Sequence, residues 1–302
     1  MSTLTCHLVI LLALAGQPLG PGDHNRTLSI GESTRSYLIH VPPTYDPKKP
    51  TPVVLVFHGA ATNAAITVLF TGLSDKADEA GFIAVYPNGM GVGSALIWNT
   101  GFVRLASKEK LPDDVGFIAK LLDDLGGAVN VDKQRVYAAG ISNGGMMCYA
   151  LAAGLSDRIA AIASVGGTMS IGPVNAKRPV PVIHFHGTAD TLVPFDGPRD
   201  TMQKFVTFRS VDETINTWAK VDGCPANPTI DKLPDKAHDG MTVTRKTYGP
   251  GKDGSEVVLY VIEGGGHTWP GRDPIVRFLG KYTKNISAND LLWEFFQKHP
   301  MQ

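Results

Sequence analysis

The segment VYAAGISNGGMMCYALAAG, from Val136 to Gly154, constrains the fold of this chain more than any other. Its first half is apolar and β-prone; its second half is rich in Ala and Met, which favour helix. Between them stands Ser142, with Gly140, Gly144 and Gly145 close by. A strand that turns at once into a helix leaves little room for Cβ atoms at the turn, which accounts for the glycines. The same turn pushes the one remaining side chain outward. In open parallel sheets, sites form beyond the carboxyl ends of strands, and Ser142 lies just past such an end. The plainer alternative is a glycine-rich turn with a capping serine.

The rest of the chain supplies the sheet. Apolar runs at 52–59 (PVVLVFHG), 82–89 (FIAVYPNG), 159–167 (IAAIASVGG), 180–187 (VPVIHFHG) and 257–265 (VVLYVIEGG) read as strands, several of them buried on both faces. Helical patterns fall at roughly 64–80, 113–128, from 143 onward, 211–220 and 288–299. Strands alternating with helices predict an α/β fold, a mainly parallel central sheet with helices on both faces. RTLSIGESTRSYLIHVPP reads as a hairpin around Gly31-Glu32-Ser33, an antiparallel N-terminal edge. The stretch from Gly89 to Pro112, which carries Trp98, reads as a long loop of the kind that usually has a function. No linker interrupts 23–302, so one domain is expected there.

The amino terminus is different in kind. HLVILLALAG (7–16) is too short to span a bilayer, which takes about 20 residues, and QPLGPGDHN after it is rich in breakers. Residues 1–22 read as a secretory signal peptide, which places the mature chain outside the cytoplasm, extracellular or periplasmic, with no stable membrane anchor. The alternative is a buried N-terminal strand or helix. The 28 basic and 28 acidic side chains cancel, so no nucleic-acid or anionic-membrane partner is expected. Cys6 would leave with the signal; Cys148 and Cys224 are expected as free thiols. No Cys/His cluster has zinc spacing, so no metal is expected. The pattern specifies no oligomeric state.

In its strand–turn–helix context, Gly140-Ile141-Ser142-Asn143-Gly144 has the form of a nucleophile elbow. A serine hydroxyl needs a base to take its proton, and that base is a histidine held by a carboxylate. The chain order in such sheets is Ser, then Asp or Glu, then His. Asp190 follows the strand ending in His186, and His267 follows the last strand after three glycines. Asp196, beside Gly197 and Pro198, reads as a turn residue, and His184 and His186 as core. Oxyanion donors are expected from the N–H of Asn143 and from Ala60 in FHGAATN, a loop that His58 helps to shape.

VVLVFHGAATNA, LPDDVGFIAKLLDDL, VNVDKQRVYAAGISNGGMMCYALA, PVIHFHGTADTLVPFDG, VIEGGGHTWPG and ISANDLLWEFFQKHP together cover nearly all of the expected mature chain. In that order they resemble an α/β-hydrolase esterase, more narrowly the poly(3-hydroxybutyrate) depolymerase and feruloyl esterase group, carbohydrate esterase family one. The resemblance implies an α/β-hydrolase catalytic domain at 23–302, with Ser142, Asp190 and His267 as nucleophile, acid and base. It also implies that Trp98 and Trp269 lie near the substrate cleft; the plainer alternative for each is a packing residue. The expected activity is that of a secreted serine carboxylic-ester hydrolase without a cofactor, most simply a feruloyl-type esterase. A polyhydroxyalkanoate or other polyester depolymerase is the alternative, and a non-catalytic hydrolase-fold binding protein a remote one. The chain runs to Gln302 with no separate polymer-binding domain in view, which favours soluble or oligomeric esters.

Overall fold

The computed structural model describes residues 18–31, 33–103 and 111–302; residues 1–17 of the expected signal and 104–110 of the long loop lie outside the described residues. The apolar runs form the parallel core of the sheet: β3 (Thr51–Phe57), β4 (Ile83–Pro87), β7 (Val131–Ile141), β8 (Ile162–Val165), β9 (Val182–Gly187) and β12 (Val257–Glu263). Every residue of β3 is buried, because helices cover both faces. Alternate side chains serve opposite cores. Val53, Leu55 and Phe57 pack with α3 (Asp114–Ala128), α4 (Asn143–Gly154) and α5 (Val211–Val221). Val54 and Val56 pack with α1 (Ala64–Thr71), α2 (Leu73–Ala80) and α6 (Ala288–Lys298). Each such side chain, fully buried, stabilises the fold by roughly 1.5–3 kcal/mol.

Antiparallel pairs extend the sheet at both edges. The expected hairpin, β1 (Gly22–Ile30) and β2 (Ser33–Val41), joins through β4. At the far edge β11 (Thr242–Tyr248) and β10 (Thr229–Lys232) add to β12, which was not anticipated. TVTRKTY is mostly polar and only Val243 and Tyr248 are buried, so β11 has no continuous apolar run to mark it. Two further differences are local. The helical pattern at 64–80 is two helices, broken at Gly72 with φ 60°. The Gly89–Pro112 loop carries a small hairpin, β5 (Met90–Val92) and β6 (Ala95–Ile97).

The sheet order β1-β2-β4-β3-β7-β8-β9-β12-β11-β10 delivers the segments that follow the parallel strands to one edge. Ala60 follows β3, Ser142 follows β7, Gly166 and Gly167 follow β8, Asp190 follows β9 and His267 follows β12. This is the architecture of the α/β-hydrolase fold.

Candidate active site

Ser142 has φ 58° and ψ −125°. A non-glycine residue held in such a region costs on the order of 1–3 kcal/mol, and such strain gathers at functional sites. The surroundings enforce it. A Cβ on Gly144 would stand 2.2 Å from the Phe57 carbonyl oxygen, and one on Gly140 2.5 Å from the Gly144 backbone. Backbone meets backbone at this turn, so no larger residue could relieve it. The Ser142 amide donates to the Val165 carbonyl at 2.8 Å, tying the turn to β8. The Ser142 side chain does not cap α4. It stays half-buried, its Cβ 3.4 Å from where a Cβ on Gly59 would sit.

Asp190 and His267 are buried and joined directly, with Nδ1 of His267 2.6 Å from Oδ2 of Asp190. The amides of Leu192 and Val193 both donate to Oδ1 at 2.9 Å. Burial pushes the Asp190 carboxyl up, but the hydrogen bond and charge of His267, with His186 and the Val193 amide, hold it below the usual carboxylate range. An ionised carboxylate only accepts, so Nδ1 of His267 carries the hydrogen and Nε2 is left as the basic nitrogen. Asp196 is exposed, as expected of a turn residue.

Gly166 and Gly167 bring the serine alongside this pair. A Cβ on Gly166, which has φ +54°, would meet Nδ1 of His267 at 3.0 Å and Oδ2 of Asp190 at 3.4 Å. A Cβ on Gly167 would lie 2.2 Å from the Ser142 carbonyl oxygen. Neighbouring α-carbons are about 3.8 Å apart, so one dipeptide spans from the Asp190–His267 pair to the serine backbone. Sequence reasoning missed this role, although the two glycines stand openly at the end of the β8 run.

Two groups of amides lie beside the serine turn. Asn143 opens α4, and the first amides of a helix have no intrahelical acceptor and carry the positive end of its dipole. In the loop after β3 the Ala61 amide is spent on the Leu96 carbonyl, whereas among the described residues nothing accepts from the Ala60 amide. His58 shapes this loop, as expected. Its Nε2 accepts from the Gly89 amide at 2.9 Å, so Nδ1–H donates to the Gly59 carbonyl at 2.7 Å. Burial pulls the His58 pKa down to about 4, which keeps the ring neutral and this pattern intact. The buried Asn143 side chain accepts from the Trp98 amide at 2.7 Å and donates to the Trp98 carbonyl at 3.2 Å. The Trp98 indole in turn donates to the His58 carbonyl at 3.1 Å. The loops bearing Ala60 and Asn143 are thus braced through one tryptophan.

A model of the dienelactone hydrolase family matches residues 43–231, a span that includes Ala60, Ser142 and Asp190 and ends before His267. The chain belongs to the dienelactone hydrolase family. It is 33% identical over 258 residues to a protein of Nocardia uniformis subsp. tsuyamanensis named "Putative esterase NocK", covering 82% of this chain and 74% of that one. It is 24% identical to Feruloyl esterase D of Neurospora crassa across 98% of both chains. The solved structure of an acetyl xylan esterase from Aspergillus awamori has the same fold, with TM-score 0.59 at 17% identity over 91% of this chain and 99% of that one. This dienelactone hydrolase family member is a carboxylic ester hydrolase.

In this family member Trp98 and Trp269 are both buried, each 1% exposed. Trp98 packs 4.8 Å from the His58 ring and 5.2 Å from Phe57. Trp269 lies in the core against α6, its indole N–H donating to Oδ1 of Asn289 at 2.8 Å. A large ring whose N–H finds a protein partner is stable when buried, and both rings have one. They brace the loops that carry the candidate residues. Cys148 and Cys224 are free thiols, as expected.

Proposed function

We propose that this hydrolase works through an acyl-enzyme on Ser142 and that hydroxycinnamoyl, feruloyl-type esters are its substrate class. The observation that carries the mechanism is the strained Ser142 held one glycine pair away from the buried Asp190–His267 couple. Nε2 of His267 takes the hydroxyl proton as Oγ of Ser142 attacks the ester carbonyl carbon. Asp190 holds Nδ1–H and stabilises the imidazolium. The amides of Ala60 and Asn143 receive the oxyanion, and one such donor is typically worth about 3–4 kcal/mol of barrier. The imidazolium gives its proton to the departing alkoxide, and the alcohol leaves. Water then attacks the acyl carbonyl while His267 takes one of its protons. That proton passes to Oγ of Ser142 as the acid is released. The scheme calls for no metal or organic cofactor.

The substrate class is supported by the similarity to proteins named as feruloyl esterases. We also read residues 1–22 as a leader and the enzyme as secreted, on the short apolar run and the breakers after it.

Ser142→Ala should abolish turnover of p-nitrophenyl acetate; a variant as fast as the wild type overturns the mechanism. Rates on methyl ferulate should exceed those on hydroxybutyrate oligomers, and the reverse order would make the enzyme a polyester depolymerase. Protein recovered from culture medium should begin between Gly16 and Asp23, whereas an intact Met1 start would refute the leader.

A further inference from the structure

Behind the Asp190–His267 couple lies a row of buried polar groups that the mechanism above does not use. His184 and His186 project from the same face of β9, and their rings stack 5.3 Å apart at 7°. Both are buried, as is Tyr149 on α4. Nε2 of His186 is 2.8 Å from the Val193 carbonyl oxygen. A carbonyl only accepts, so this nitrogen carries a hydrogen. In a neutral ring Nδ1 of His186 must then accept, and its partner is Nε2 of His184 at 3.0 Å. Nδ1 of His184 must accept in its turn, and it lies 2.8 Å from the Tyr149 hydroxyl. One assignment satisfies every member: Tyr149 donates to His184, His184 to His186, and His186 to Val193. Burial lowers the pKa of both histidines, consistent with neutral rings.

The row ends on the peptide that grips the catalytic carboxylate. The Val193 amide donates to Oδ1 of Asp190 while its carbonyl is held by His186. Nε2 of His186 also lies 3.6 Å from Oδ2 of Asp190. The row begins on α4, the helix that Ser142 opens. The titratable groups facing it are Asp190 and His267 beside His186, and Cys148 next to Tyr149. Phe195 packs edge-on against His186, and Trp218 edge-on against Tyr149, which closes the row to water.

We propose that Tyr149, His184 and His186 form a buried hydrogen-bonded relay that positions Asp190, and through it His267, relative to the helix carrying Ser142. These are positioning residues, since none touches the reacting atoms. The proposal rests on the triad reading. Its physical content is directional: a single neutral tautomer at each ring leaves one donor for Val193 and none misplaced. The cost of losing it is misalignment, and a shift near 1 Å in a catalytic group can lower a rate by about 10²-fold.

The test compares His186→Leu, which removes the donor, with His186→Gln, whose amide can restore it. On p-nitrophenyl acetate, His186→Leu should lower kcat about 10- to 100-fold with little change in KM. The acid limb of its kcat profile should move to lower pH, because a misaligned carboxylate stabilises the imidazolium less. His186→Gln should recover most of both effects. A purely structural role would reduce the active fraction without moving the limb, and equal losses in the two variants would overturn the relay. Should His186→Leu fail to fold, ¹⁵N NMR of the wild-type imidazoles decides: both rings should be neutral with hydrogen on Nε2 from pH 6 to 8. A charged ring, or hydrogen on Nδ1 of either, refutes the assignment. An inactive Ser142→Ala beside a fully active, folded His186→Leu would sink the relay alone. An active Ser142→Ala would sink the triad itself.

Discussion

Asp190→Asn is the sharpest perturbation of the site, because the amide's orientation is dictated by its neighbours. The side chain must place one oxygen and one NH₂ where two carboxylate oxygens were. The Leu192 and Val193 amides both donate, at 2.9 Å, into the position of Oδ1, so oxygen must stay there. The NH₂ is left facing Nδ1 of His267, across what is a 2.6 Å contact in the wild type. Nδ1 must then accept, and the ring's hydrogen moves to Nε2, the nitrogen that the proposed mechanism needs free to take the serine proton. Restoring the productive tautomer means turning the amide over and leaving two N–H groups unsatisfied, that of Val193 buried and that of Leu192 partly so. At about 1–3 kcal/mol for the buried one and about half that for the other, the cost is roughly 1.5–4.5 kcal/mol. At about 1.4 kcal/mol per decade, kcat should fall between roughly 10-fold and 10³-fold. KM for p-nitrophenyl acetate should hardly move, because Asp190 touches no substrate. The assay is steady-state kinetics on a variant shown to be folded by circular dichroism. A loss smaller than tenfold would mean either that the two amides do not fix the orientation or that Asp190 is not the acid.

Trp98→Phe removes the indole N–H from the buried His58 carbonyl, a loss of about 1–3 kcal/mol. If Trp98 braces the oxyanion loop, kcat on methyl ferulate should drop about tenfold or more at constant KM. A raised KM with unchanged kcat would return this ring to the substrate cleft. At the sheet's N-terminal edge, His40 bridges Asp23 on β1 and Asp78 on α2, at 2.7 and 2.8 Å. Burial pulls its pKa down, but the two carboxylates outweigh burial and leave it raised. A folded-state pKa above the unfolded one gives stability that is fully present below the ordinary histidine range and fades as pH rises through the raised value. The Tm advantage of wild type over His40→Gln should therefore be largest in mild acid and shrink toward alkaline pH. An advantage that grew with pH would contradict this assignment.

Most of the architecture was legible in the chain because its signals are local. Apolar runs of strand length, helical spacing and glycines at a strand–helix turn each follow from sterics within a few residues. They located the parallel core, the helices on both faces and the elbow at Ser142. Chain order added Asp190 and His267, since the strands they follow end at the same sheet edge. The far antiparallel edge escaped because β11 is mostly polar, with only Val243 and Tyr248 buried, and has no continuous apolar run.

By itself, then, the sequence determined the sheet, its reactive edge and the residue types gathered there. The tertiary structure alone decided which way side chains turn and what they meet. Trp98 and Trp269 are expected near a cleft, and only the fold shows that each ring is buried with its N–H on a neighbouring segment. His184 and His186 look like two core residues until the carbonyl of Val193 and the hydroxyl of Tyr149 fix their tautomers. The reason is physical: periodicity reports which face of an element is buried, but a hydrogen bond's direction depends on a partner distant in the chain that only folding supplies.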